Sequence, residues 1–153
     1  MYSRAEASQI RHAFWTTFGQ YLSPQRSAEG ERVNWINYKT GEKHVFFKME
    51  AGTRSASIGI ELTHPDRDMQ QLYFEQLEQF KRLLHEHLGE PWTWQLHATL
   101  EQGSTICRVF TELPGVNIMN REDWPKLISF FKPRLLALDT FWSEVKYAFE
   151  ALR

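Results

Sequence analysis

The chain has 153 residues, 42% hydrophobic and 24% charged, with 18 basic and 19 acidic side chains and a formal net charge of -1. That length and balance describe a single soluble domain over residues 1–153, and they exclude a disordered, collagen-like or strongly basic nucleic-acid-coating chain. Aromatic content is high at 14%, with 6 Trp and 11 Phe, so the rings must either fill the core or form a stacking surface.

Ser3 followed by Glu6 has the spacing of a capping box, in which each side chain accepts from an otherwise unpaired backbone N–H. Ile10, Phe14, Phe18 and Leu22 recur at helical spacing. A first helix is therefore predicted from Arg4 to Leu22, stopping before Ser23-Pro24.

After the polar loop SPQRSAEGER come three segments rich in strand formers: VNWINY (33–38), HVFFKME (44–50) and SASIGIELT (55–63). Gly52-Thr53 suits a two-residue turn with Gly first. That turn pairs Met49 with Ala56, Phe47 with Ile58 and Val45 with Ile60 on an apolar face. The other face then pairs Lys48 with Ser57, Phe46 with Gly59 and His44 with Glu61. A three-residue loop at Thr40-Gly41-Glu42 would set Trp35 against Phe47, with Tyr38 beside His44 on the outer face.

Asp66 or Asp68 can cap a second helix carrying Met69, Leu72, Tyr73, Leu77, Phe80, Leu84 and Leu88, with Gly89 as its terminating residue. WTWQLHATL and STICRVFTEL form a second hairpin about Gln102-Gly103, with Trp94, Leu96, Ala98, Cys107 and Val109 on one face. Asn120 or Asp123 then caps a long C-terminal helical region with apolar positions from Trp124 to Leu152, kinked or split at Pro133. The order α-β-β-β-α-β-β-α predicts an α+β fold, a mostly antiparallel sheet packed by helices.

Cys107 is the only cysteine, so no intrachain disulfide forms, which suits a reducing compartment. The N-terminus carries Glu6 and no apolar leader, and no apolar run reaches the roughly 20 residues of a membrane helix. A cytoplasmic chain without membrane association is expected. There is no CxxC, HExxH, phosphate-binding loop, dinucleotide fingerprint or GxSxG elbow, so no catalytic residue, metal ligand or cofactor is assigned.

Two features stand above that background. The outer face of the strand unit gathers Tyr38, His44, Phe46, Lys48 and Glu61, and a carboxylate beside an imidazole can fix its tautomer or raise its pKa. Charge is also uneven: residues 1–60 hold 8 basic against 5 acidic side chains, residues 61–101 hold 3 against 8. Basic groups interleaved with rings can grip phosphates and stack bases, although this excess is small. A small-molecule site near Tyr38 and His44 is a further reading.

The segments FWTTFGQYL, VNWINYKTG, ASIGIELTH, LGEPWTWQL and REDWPKLISFFKPRLLALDTFW together resemble the bacterial domain-of-unknown-function family 4268 over nearly the whole chain. Longer relatives carry this domain behind a nuclease-like or other N-terminal domain. The resemblance implies an accessory, partner-binding or DNA-linked role and transfers no site residue. The element order is also similar to the core of PD-(D/E)XK nucleases, whose third core strand carries an acid, any residue, then Lys. Here that strand reads Glu61-Leu62-Thr63, with Lys48 as a migrated amine and Glu42 as the nearest second acid, so such a site would be degenerate. The leading expectation is a non-enzymatic interaction module with a protein partner or a second copy of itself. A nucleic-acid-related protein with a degenerate nuclease-like core is the alternative.

Overall fold

In the computed structural model, which describes residues 2–153, the first helix α1 (Arg4–Leu22) begins as its sequence dictates. Ser3 Oγ accepts from Glu6 N at 3.1 Å, and Glu6 Oε1 accepts from Ser3 N at 3.3 Å. The remaining elements are β1 (Val45–Ala51), β2 (Ser55–Leu62), α2 (Arg67–Glu78), α3 (Lys81–Leu88), β3 (Thr93–Thr99), β4 (Thr105–Pro114) and α4 (Trp124–Val145). A 3₁₀ turn, Arg121–Asp123, precedes α4 and a 3₁₀ helix, Lys146–Leu152, follows it. The fold is α+β, with all four strands antiparallel in the order β1-β2-β4-β3.

The order is α-β-β-α-α-β-β-α, which differs from the expected one at two points. The segment Val33–Tyr38 is irregular rather than a strand. Its rings are anchored by side-chain hydrogen bonds instead of a ladder: Trp35 Nε1 donates to the Gln25 carbonyl at 2.9 Å and Tyr38 Oη to Asp139 Oδ1 at 2.5 Å. Asn34 turns the backbone between them, its side-chain oxygen accepting from Asn37 N. Second, the helix expected after Asp66 is two helices. Asp66 caps α2 through Met69 N and Gly89 ends α3 at φ +70°, but the chain breaks at Gln79-Phe80. The break serves two partners, because α2 packs on β3, β4 and the C-terminal 3₁₀ helix while α3 packs on α4.

The β1–β2 hairpin keeps the predicted faces but not the predicted register. Ala51 pairs with Ala56, Met49 with Ile58, Phe47 with Ile60 and Val45 with Leu62, a slip of two residues. Gly52 donates to the Ser55 carbonyl at 2.9 Å, so Thr53-Arg54 forms the turn, and Gly52 does not take the positive φ that the expected turn needs. A two-residue slip preserves which side chains face inward, and here it sets Leu62 against Val45, both fully buried.

In the second hairpin the ladder shifts between Gln95 and Ala98. This bulge, with His97 at φ +53°, turns Leu96 out to 46% exposure instead of onto the core face with Trp94 and Ala98. α4 runs through Pro133 without splitting. Pro133 and Ser129, whose carbonyl loses its helical donor, both lie on the exposed side, so water can satisfy the freed oxygen. The rings of Phe14, Phe18, Phe131, Trp142 and Phe149 sit in one core between the helices and the inner sheet face.

Candidate binding face

Alternation along the strands places one row of side chains after another on the sheet face turned away from the helices. The ladder aligns Phe46, Glu61, Arg108 and Gln95 in one row, Lys48, Gly59, Phe110 and Thr93 in the next, and Glu50, Ser57 and Glu112 in a third. Arg108 Nε donates to Gln95 Oε1 at 2.6 Å, and its guanidinium lies 4.5 Å from the centre of the Phe110 ring. Phe110 stands opposite Gly59, where a Cβ would come within 2.6 Å of both Phe110 Cβ and the Val109 carbonyl. A glycine inside a strand here marks a close approach, a signal present in the sequence but attributable to Phe110 only once the strands are aligned.

The sequence-derived candidates divide. Phe46, Lys48 and Glu61 do share the outer face, with Phe46 at 47% exposure. His44 is not paired with Glu61. Phe46 stands opposite Glu61, and His44 accepts through its carbonyl from Thr63 N at 3.0 Å. Its ring lies 4.3 Å from that of His64, and burial, then His64 and Lys43, lower its pKa. Tyr38 is not beside His44 on the outer face either. It stacks on Phe47 with ring centres 4.8 Å apart, and burial, reinforced by the Asp139 carboxylate, pushes its hydroxyl far above the ordinary range. Glu61 is half-buried, and burial raises its pKa against the opposing pull of Lys48. Glu42 is elsewhere, buried and held by the Arg153 guanidinium at 2.6 Å.

A cleft of about 520 Å³ joins this face to the free edge of β1. Its lining includes Trp15, Ile36 and Tyr38 together with Phe46, Phe47, Lys48, Met49 and Glu61.

The inner side holds the polar residues that the sequence reading missed. Asp139, 4% exposed, accepts from Tyr38 Oη and from Ala28 N at 2.7 Å, pinning the irregular segment to α4. Its signal was an acid within the apolar stripe Leu135–Leu138–Trp142. Gln70, 2% exposed, donates to the carbonyls of His64 and Thr105. That fixes its amide orientation and aims Oε1 at His97 Nδ1, 3.1 Å away, and at Cys107 Sγ, 3.3 Å away. An acceptor there requires His97 to carry its proton on Nδ1, the ring nitrogen that lies 3.9 Å from Cys107 Sγ, so that nitrogen cannot take the thiol proton. Burial also pushes the Cys107 thiol up, and Cys107 is sealed from solvent as an inert core residue.

Among the described residues, no group of three or more His, Cys, Asp or Glu side chains is placed to hold a metal ion, and no helix is long and apolar enough to cross a membrane. No curated protein and no solved structure matches the chain. The family model described as "Domain of unknown function (DUF4268)" matches residues 10–146, nearly the full length, and the chain belongs to that family.

Proposed function

We propose that the chain is a non-enzymatic module that binds a protein partner on the outer sheet face. The observation that carries this reading is the preorganised group at the centre of that face. Arg108 is oriented by Gln95 and stacked over Phe110, in the same ladder row as the solvent-exposed Phe46. Arginine and aromatic anchors held rigid before binding lose little entropy on contact and dominate interface energetics. The reading suits a bacterial cytoplasm, where the single buried thiol of Cys107 stays reduced.

A photo-crosslinking phenylalanine analogue at position 46, with one at the exposed Tyr147 as control, tests it in the native host. A protein adduct from position 46 alone, abolished by Arg108→Ala, is the expected result. Identical adducts from both positions would remove the reading. The alternative, a nucleic-acid-related protein with a degenerate nuclease-like core, draws support from Lys48 and Glu61 lining one cleft, although Glu42 is engaged by Arg153. Nucleic acid crosslinked at position 46, with Mn²⁺-dependent affinity lost in Glu61→Gln, would favour it instead.

A further inference from the structure

Antiparallel ladders alternate, so knowing two hydrogen-bonded pairs fixes which backbone groups of β1 face outward. Gly52 N donates to the Ser55 carbonyl and Thr63 N to the His44 carbonyl. The even-numbered residues of β1 therefore bond to β2, and the N–H and C=O of Val45, Phe47, Met49 and Ala51 point to the free edge. Val45 is already satisfied: its N–H donates to the Glu42 carbonyl and its C=O accepts from Thr40 Oγ1 at 2.7 Å. Phe47, Met49 and Ala51 have no hydrogen-bond partner for these groups among the described residues. Tyr38 meets β1 through its ring, stacked on that of Phe47, and four consecutive β1 residues, Phe46 to Met49, line the cleft beside it. The other sheet edge, β3, is blunted by the Leu96-His97 bulge, whereas β1 pairs with β2 without interruption.

We propose that β1 pairs antiparallel with β1 of a second copy of this chain, about a two-fold axis at Met49, forming one continuous eight-stranded sheet. Charge selects this occupant and register. Centring on Met49 sets Lys48 opposite the second copy's Glu50, and Glu50 opposite its Lys48, two attractive cross-strand pairs. Centring one residue earlier sets Lys48 on Lys48, and one residue later sets Glu50 on Glu50, both repulsive. The chosen register also sets Phe47 against Ala51, large against small, and brings the three free rungs together. The inference deepens the binding-module reading by doubling the outer face, and takes from it only the use to which the dimer is put.

Sedimentation equilibrium of the full chain tests it. Wild type forms a dimer. Lys48→Glu or Glu50→Lys alone turns both attractive pairs repulsive and raises the dimer Kd by about tenfold or more. The double variant K48E/E50K returns the Kd to near the wild-type value. Mixing the two single variants produces a heterodimer, because one chain then presents acids at both positions and the other presents lysines at both. The mixture also controls for folding, since misfolded singles could not rescue each other. A wild type that stays monomeric at about 100 μM, or a dimer indifferent to both single swaps, overturns the proposal. Persistent crosslinking at position 46 by a monomeric wild type would leave the binding-module reading standing while this inference falls.

Discussion

On the inner side of the sheet, Asp139, Gln70 and Glu42 are buried and matched: two donors on Asp139, four polar contacts on Gln70, a guanidinium on Glu42. On the outer face Lys48, Glu50 and Glu112 are exposed, and among the described residues none of them forms an ion pair. Buried polar groups are tolerated only when satisfied, so each inner one acts as a locator for a segment that has no ladder to hold it. Exposed unpaired charges contribute little to stability, which leaves the outer face free to be shaped by what it meets.

The contrast breaks most visibly at Asp139. Asp139→Ala leaves the Tyr38 hydroxyl and the Ala28 N–H without an acceptor in a buried place and should cost about 3 kcal/mol. Asp139→Asn keeps one acceptor oxygen where two are used on different donors, so about half that loss is expected. Urea denaturation of the three proteins checks the grading. Equal losses for Ala and Asn would show that the carboxylate charge, not the count of acceptors, holds the segment.

Gly59→Ala sharpens the comparison from the other side. The new Cβ meets the Val109 carbonyl and Phe110 Cβ at 2.6 Å, and one of these is backbone that cannot rotate away. About 2 kcal/mol of destabilisation is expected. Crosslinking at position 46 should weaken as well, because Phe110 must shift under Arg108. Unchanged stability would mean that β2 and β4 part easily at this row.

These differences also explain what the sequence could and could not show. Ser3 with Glu6, Asp66 before its helix and Gly89 after it are local signals, and they mark real element ends. The inner and outer faces of β1 and β2 were legible because a two-residue slip does not move a side chain across the sheet. The register itself depended on whether Gly52 or Thr53 opened the turn, and so the His44–Glu61 pair dissolved. VNWINY has strand composition, yet its structure is decided by Gln25 and Asp139, 10 and 101 residues from Trp35 and Tyr38. The bulge that turns Leu96 outward and His97 inward likewise answers to Gln70, on another element. Of the outer face, Phe46, Lys48 and Glu61 were found, but Arg108 and Phe110 came into view only when β4 was seen beside β2.

The smallest expected effect lies at Glu61, where the two environments meet. Burial raises its pKa above the ordinary value of 4.5, so the folded state keeps a proton that the unfolded state has already released. Stability therefore falls as pH rises through the window just above that value, and at neutral pH the ionised carboxylate opposes folding. Glu61→Gln removes the charge while keeping the shape. It should stabilise the protein at pH 7 by about 0.5 kcal/mol, with the gain vanishing near pH 3, well below the ordinary value, where Glu61 is protonated in both states. Lys48 pulls in the opposite direction, so in a Lys48→Ala background the same substitution should gain more at pH 7. Denaturation midpoints of the four proteins at both pH values measure this. A gain in Glu61→Gln that persists at pH 3 would show that it does not come from the charge of Glu61, one that shrinks without Lys48 would show that Lys48 does not favour the ionised carboxylate, and no gain at pH 7 would show that solvent screens Glu61 completely.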